Sequence, residues 1–279
     1  MPTARFNLAA AVVDGDVYAI GGTADTILKL DVVERYDPAT DSWTTMASLP
    51  TPRYGLAAAT INGKIYAVGG VAASGYTATV EEYDPATGTW TSKSPMPTAR
   101  AHHAAASLNG RLFAIGGESA FGAMDIVEEY DPTTDVWTTR APMPTPRQYL
   151  GAASLMGKLY AVGGLGPPFS DSVDQYDPTH DTWSVIAPMP NGRWGHGSAV
   201  VNDVAYCMGG EGGRTAFDQF PPWGALPPMP TARYFLAAAA VDLDGGKVYA
   251  IGGHSGSSGL ATNEEFDTGL VTLFAHRRN

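Results

Sequence analysis

A glycine doublet recurs six times along the chain, at 21–22, 69–70, 116–117, 163–164, 209–210 and 252–253. An arginine precedes each one: Arg5, Arg53, Arg100, Arg147, Arg193 and Arg233. The first five Arg-to-Gly distances are all 16 residues and the last is 19. An aromatic stands three residues ahead of every doublet (Tyr18, Tyr66, Phe113, Tyr160, Tyr206, Tyr249), and a second follows it (Tyr36, Tyr83, Tyr130, Tyr176, Phe220, Phe266). Trp43, Trp90, Trp137 and Trp183 come seven residues after that second aromatic, Trp223 only three after, and Leu273 takes the corresponding place in the last unit. A period of about 47 residues marks a repeat architecture, in which each unit buries its apolar faces against its neighbours.

Within each unit the apolar residues run or alternate in short stretches, as in Val17-Tyr18-Ala19-Ile20, so the units are built of strands rather than helices. Asp14-Gly15, Asn62-Gly63 and Asn109-Gly110 are hairpin dipeptides that supply the positive φ of a two-residue turn. Asp-Pro and a short polar run make a second turn in units one to four. Each unit therefore holds four strands: A after the arginine, B ending in the doublet, C carrying the second aromatic and D carrying the tryptophan. The expected fold is all-β, a six-bladed β-propeller of four-stranded antiparallel blades.

The doublet after an apolar strand, the spaced Tyr and Trp, and Met-Pro-x-x-Arg between units resemble kelch repeats across essentially the whole chain. The resemblance implies one kelch propeller over residues 1–279, with blades near 1–48, 49–95, 96–142, 143–188, 189–228 and 229–279. Two units depart from the pattern. The fifth replaces its Asp-Pro turn with Phe220-Pro221-Pro222-Trp223, which predicts a short outer strand, and the sixth lacks its tryptophan. No strand is left over to complete another blade, so closure between blades six and one is expected from side-chain packing, with that seam the softest part.

The recurring residues read as structural. Each arginine has a phased acid two positions before the second aromatic (Glu34, Glu81, Glu128, Asp174, Asp218, Glu264), which predicts a repeated ion pair over the alternative of a solvated surface. The tryptophans are expected to fill the layers between blades, each costing about 3–5 kcal/mol on truncation if buried. Cys207 stands where other blades have alanine and is expected to be a small buried filler.

Charge and composition narrow the function. A net charge of −11 opposes nucleic acid binding. No apolar run reaches the roughly 18 residues of a membrane span. Met1-Pro-Thr-Ala-Arg5 already belongs to the repeat, so no secretory leader is expected and a cytoplasmic location is favoured, or an extracellular one if the chain is an excised domain. HxH, HExxH and CxxC spacings are missing, so no metal, cofactor or catalytic residue is assigned.

In a four-stranded meander the B–C and D–A connections share one rim, and the B–C loops are the irregular part of this sequence. A binding surface is expected there, around the central channel. Its residues are Phe6, Thr23, Tyr54, His102, Glu118, Tyr149, Trp194, His196, Glu211, Arg214, Tyr234 and His254, a mixture of aromatic, acidic and imidazole groups suited to a peptide, a glycan or a small polar ligand. The kelch resemblance implies a non-catalytic scaffold, expected to be monomeric, that binds a protein or peptide partner. Related propellers also include sugar epimerases, which would use Glu118, Glu211, Arg214 or a channel histidine as acid and base. They include copper oxidases as well, which need a cysteine joined to tyrosine beside the metal, a role unsuited to a cysteine in strand B.

Overall fold

The computed structural model describes residues 1–25, 27–166, 171–242, 245–268 and the backbone of 275–278. Among these residues there is no helix, and six four-stranded antiparallel sheets follow one another, each a meander in the order A-B-C-D. In the third blade the strands are Ala104–Leu108, Arg111–Ile115, Val127–Asp131 and Val136–Arg140. The six strands A line a common axial channel, and strand A of blade six touches strand A of blade one. The molecule is a six-bladed propeller.

Sequence follows position within the blade. Six strands converge on the axis, so strand A is rich in alanine and small residues, with alternate positions buried (Ala9–Val13). Strand B is covered on both faces by neighbouring blades, and Val17, Tyr18, Ala19 and Ile20 are all buried. Strand D forms the outer edge and is mostly exposed. Blade five has an outer strand of only two residues, Gly224–Ala225, as the loss of its Asp-Pro turn predicts. The A–B turns adopt the expected geometry: Asn62 and Gly63 have φ of 50° and 74°.

The glycine doublet joins blades. Gly21 has a φ of 60°, and a Cβ there would stand 2.7 Å from the Arg53 carbonyl of the next blade. Gly22 N–H donates to that same carbonyl at 3.0 Å. Equivalent bonds run from Gly70 to Arg100, Gly117 to Arg147, Gly164 to Arg193 and Gly210 to Arg233, and from Gly253 to Arg5 across the seam at 3.0 Å. Closure is therefore not by side-chain packing alone. Blade six holds blade one with the same main-chain bond used elsewhere, and Tyr36 and Tyr249 pack across it with centroids 5.7 Å apart.

The tryptophans are only partly buried, unlike the expectation of full burial. They lie on the outer strand, or for Trp223 in the turn just before it, each over the strand C aromatic; Tyr130 and Trp137 are register partners with centroids 5.1 Å apart. Trp90, Trp137, Trp183 and Trp223 each donate the indole N–H to a carbonyl of the preceding blade, at 2.9–3.1 Å. Phe220 and Trp223 keep the same 5.1 Å contact despite their shorter spacing. Leu273 lies outside the described residues. Cys207 is fully buried in strand B, and burial raises its thiol pKa.

Candidate functional site

The rim carrying the B–C loops is fixed by the six arginines, all completely buried. Each meets the acid that its phase predicts. Arg5–Glu34, Arg53–Glu81, Arg100–Glu128, Arg193–Asp218 and Arg233–Glu264 lie 2.5–2.9 Å apart, and Arg147 pairs with Asp174. Other guanidinium nitrogens reach the main chain: Arg100 Nη1 binds the carbonyls of Gly116 and Ile126 at 3.0 and 2.9 Å. One side chain thus ties the entry to strand A, the end of strand B and the start of strand C. Desolvation pulls the Arg100 pKa down and Glu128 opposes it.

The residues just after each arginine build the mouth of the channel. Phe6, Tyr54, Ala101, Gln148, Trp194 and Tyr234 each bridge to the residue after their own glycine doublet. The next residue in every blade, Asn7, Gly55, His102, Tyr149, Gly195 or Phe235, is left-handed, with φ of 51–64°. These six form a closed circle of main-chain hydrogen bonds. Gly55 N–H donates to Asn7, His102 to Gly55, Tyr149 to His102, Gly195 to Tyr149, Phe235 to Gly195 and Asn7 to Phe235, at 2.7–3.0 Å. The circle spans the axis at one end of the channel. Every member directs its amide along the circle, so the strain of a non-glycine residue at positive φ is offset by two good hydrogen bonds.

Two circle positions are glycine because the following side chain lies over them. A Cβ on Gly55 would be 2.5 Å from the His102 ring, and one on Gly195 would be 2.9 Å from Phe235. The His102 ring also stacks on Tyr149, with centroids 4.1 Å apart. Its Nδ1 lies 2.8 Å from Glu118 Oε1, and the Tyr76 hydroxyl reaches the same oxygen at 3.3 Å. A carboxylate only accepts, so Nδ1 carries the proton of that bond. Phe6, Tyr54, Tyr76, Tyr149 and Phe235 wall a cup of about 360 Å³ above the circle, with Glu118 its only charged side chain among the described residues. Burial raises the Tyr149 pKa, and burial followed by the Glu118 charge raises that of Tyr76.

The other expected residues divide around this cup. Trp194 packs near Tyr149 and Phe235, at 5.3 and 5.4 Å. Glu211 and Arg214 pair with each other at 2.7 Å, and Arg214 lies 4.8 Å over the Tyr234 ring. His254 meets Phe6 edge-on at 4.8 Å, and its Nδ1 accepts the Gly256 amide. Thr23 is buried, and its hydroxyl donates within its own loop to Leu28. His196 lies below the circle, and it and His103 line a cavity of about 80 Å³ to which the other blades contribute leucine. Burial holds the His196 pKa down to about 3 and that of His103 well below the usual histidine range. Sequence reasoning did not select Tyr76, which a hairpin inside the second B–C loop (Val71–Ala72, Gly75–Tyr76) brings to Glu118. Nor did it find the circle, whose one signal was an Asn or Gly two residues after Arg5, Arg53 and Arg193.

Among the described residues no three His, Cys, Asp or Glu side chains converge as a metal-ligand set, and no helix is long and apolar enough to cross a membrane. The fourth B–C loop lies partly outside the described residues. No curated protein sequence matches the chain. The solved structure of YjhT superposes with a TM-score of 0.79 at 19% identity, covering 99% of this chain and 98% of that one, a likeness of fold. The sequence model of the KLHDC2/KLHL20/DRC7 Kelch-repeats domain matches residues 9–210. With its six blades, phased arginine–acid pairs and matched repeats, the chain belongs to the Kelch-repeats domain family.

Proposed function

We propose that this propeller is a non-catalytic scaffold that binds a protein or peptide on the B–C/D–A rim. Kelch propellers commonly serve as protein-interaction scaffolds. The observation that carries the reading is the aromatic cup, roofed by irregular loops and floored by a rigid main-chain circle. Rings of this kind give large contact area for little lost side-chain freedom. Three exposed apolar side chains, Ile27, Leu28 and Phe121, stand on the loops beside it, at 79%, 52% and 101% exposure. The test is partner capture by wild type and by Tyr54→Ala, Tyr149→Ala and Trp194→Ala, with thermal melts to confirm folding. Loss of capture in folded variants is expected; unchanged capture in all three removes this surface.

The hydrogen-bonded His102–Glu118 pair in the cup favours one other reading, acid–base chemistry on a sugar. NMR of candidate sugars would detect anomer or epimer exchange above the buffer rate. Exchange abolished by Glu118→Gln would replace the scaffold reading.

A further inference from the structure

The cup has the chemistry of a cation site. Its walls are aromatic, and the one charged group among the described residues that line it, Glu118, is a carboxylate. Glu118 Oε1 takes both internal hydrogen bonds, from His102 and Tyr76, while Oε2 accepts none among the described residues. The Nδ1–H of His102 orients the carboxylate. The chain already places cations on rings of this rim: Lys29 Nζ stands 5.8 Å from the Tyr54 centroid and Arg214 4.8 Å from that of Tyr234. The ring quadrupole attracts a positive group, more strongly as water is excluded. The whole-chain charge of −11 acts in the same direction.

Resting on the scaffold reading above, we propose that the cup receives a basic side chain, lysine or arginine, from the partner polypeptide, with Glu118 as its counter-ion. A polypeptide fits better than a free amine because exposed apolar side chains stand on two of the loops that supply the lining of the cup. Leu28 is on the first B–C loop, where its carbonyl holds the lining residue Thr23, and Phe121 is on the hairpin that begins at the lining residue Glu118. The preferred sequence is therefore a basic residue with apolar neighbours.

The probe is a random-peptide phage library panned against the immobilised full chain. Each enriched peptide is then synthesised in two forms, one with norleucine replacing the basic residue. The expected result is a lysine or arginine shared at one position, with about tenfold or more weaker binding of the norleucine form. Glu118→Gln, which keeps a hydrogen-bond acceptor for His102, should erase that difference without lowering the melting temperature. Enriched peptides that share no basic residue, or that bind Glu118→Gln as tightly as wild type, would overturn the proposal. If such peptides are still lost on Tyr149→Ala and Trp194→Ala, the rim remains the docking surface and only the cation is wrong. No enrichment over a blank surface would count against both readings.

Discussion

Tyr149 N–H donates to the His102 carbonyl at 2.7 Å, and the two side chains stack at 4.1 Å beside that bond. The mouth is thus ordered twice, through main chain and through rings. That order depends on the bare neighbour, Gly55. Gly55→Ala forces a Cβ against the His102 imidazole at a φ of +63°. A loss of about 2 kcal/mol is expected from denaturant unfolding, with the His102 ring resonances displaced in NMR spectra. An unchanged spectrum would show that the imidazole does not rest there.

Removing one partner from a buried arginine pair leaves an uncompensated charge. Glu128→Ala is expected to cost about 3–5 kcal/mol in equilibrium unfolding, because Arg100 and Glu128 are both closed to water. An exposed pair is a useful contrast. Lys158→Ala, which loses the solvent-facing contact to Asp177, should cost far less than breaking the buried pair.

His103 and His196 make folding sensitive to acid. Both are neutral in the fold, while the unfolded chain takes up protons below about pH 6.5. Their folded pKa values are depressed, so the unfolded state binds more protons over this range and stability falls as pH drops below 6.5. For His196 the window closes near its folded pKa of about 3. The slope is about 1.4 kcal/mol per pH unit for each histidine. Replacing both with leucine, the residue of the equivalent positions Leu8, Leu56, Leu150 and Leu236, should flatten the pH dependence of unfolding relative to wild type. Parallel curves would disprove the assignment.

Trp90, Trp137, Trp183 and Trp223 each bridge two blades through one hydrogen bond. Trp137→Phe keeps the ring over Tyr130 and loses the donor to the Ser94 carbonyl. A cost of about 1 kcal/mol is expected. A cost near that of emptying a core site would mean that the indole is shielded far more than its partial exposure indicates.

Much of the fold is legible because the repeat states each relationship six times. The arginine–acid pairing follows from phase alone, since Arg5 and Glu34 recur together in every unit. The hairpin turns follow from Asn-Gly and Asp-Gly. What the sequence hides is what happens only once. Tyr76 reaches Glu118 through a hairpin private to the second blade, and no repeat announces it. Burial of the tryptophans was overread because periodicity does not distinguish an inner strand from an outer edge. Closure between blades six and one adds a main-chain bond to the expected side-chain packing. The doublet and the arginine stand out in the sequence, but nothing in their side chains says that the Gly253 amide bonds the Arg5 carbonyl.

The hydrogen-bonded circle has a further consequence for whatever lands on it. Read around the axis, it runs Asn7, Gly55, His102 and then Tyr149, Gly195, Phe235, a half-turn pattern of polar-or-ring, bare and ring repeated twice. Two opposed landing poses would be nearly equivalent if the halves matched. They differ most at Asn7 against Tyr149, so that diametric pair breaks the pseudo-twofold and dictates which way round a visitor must sit.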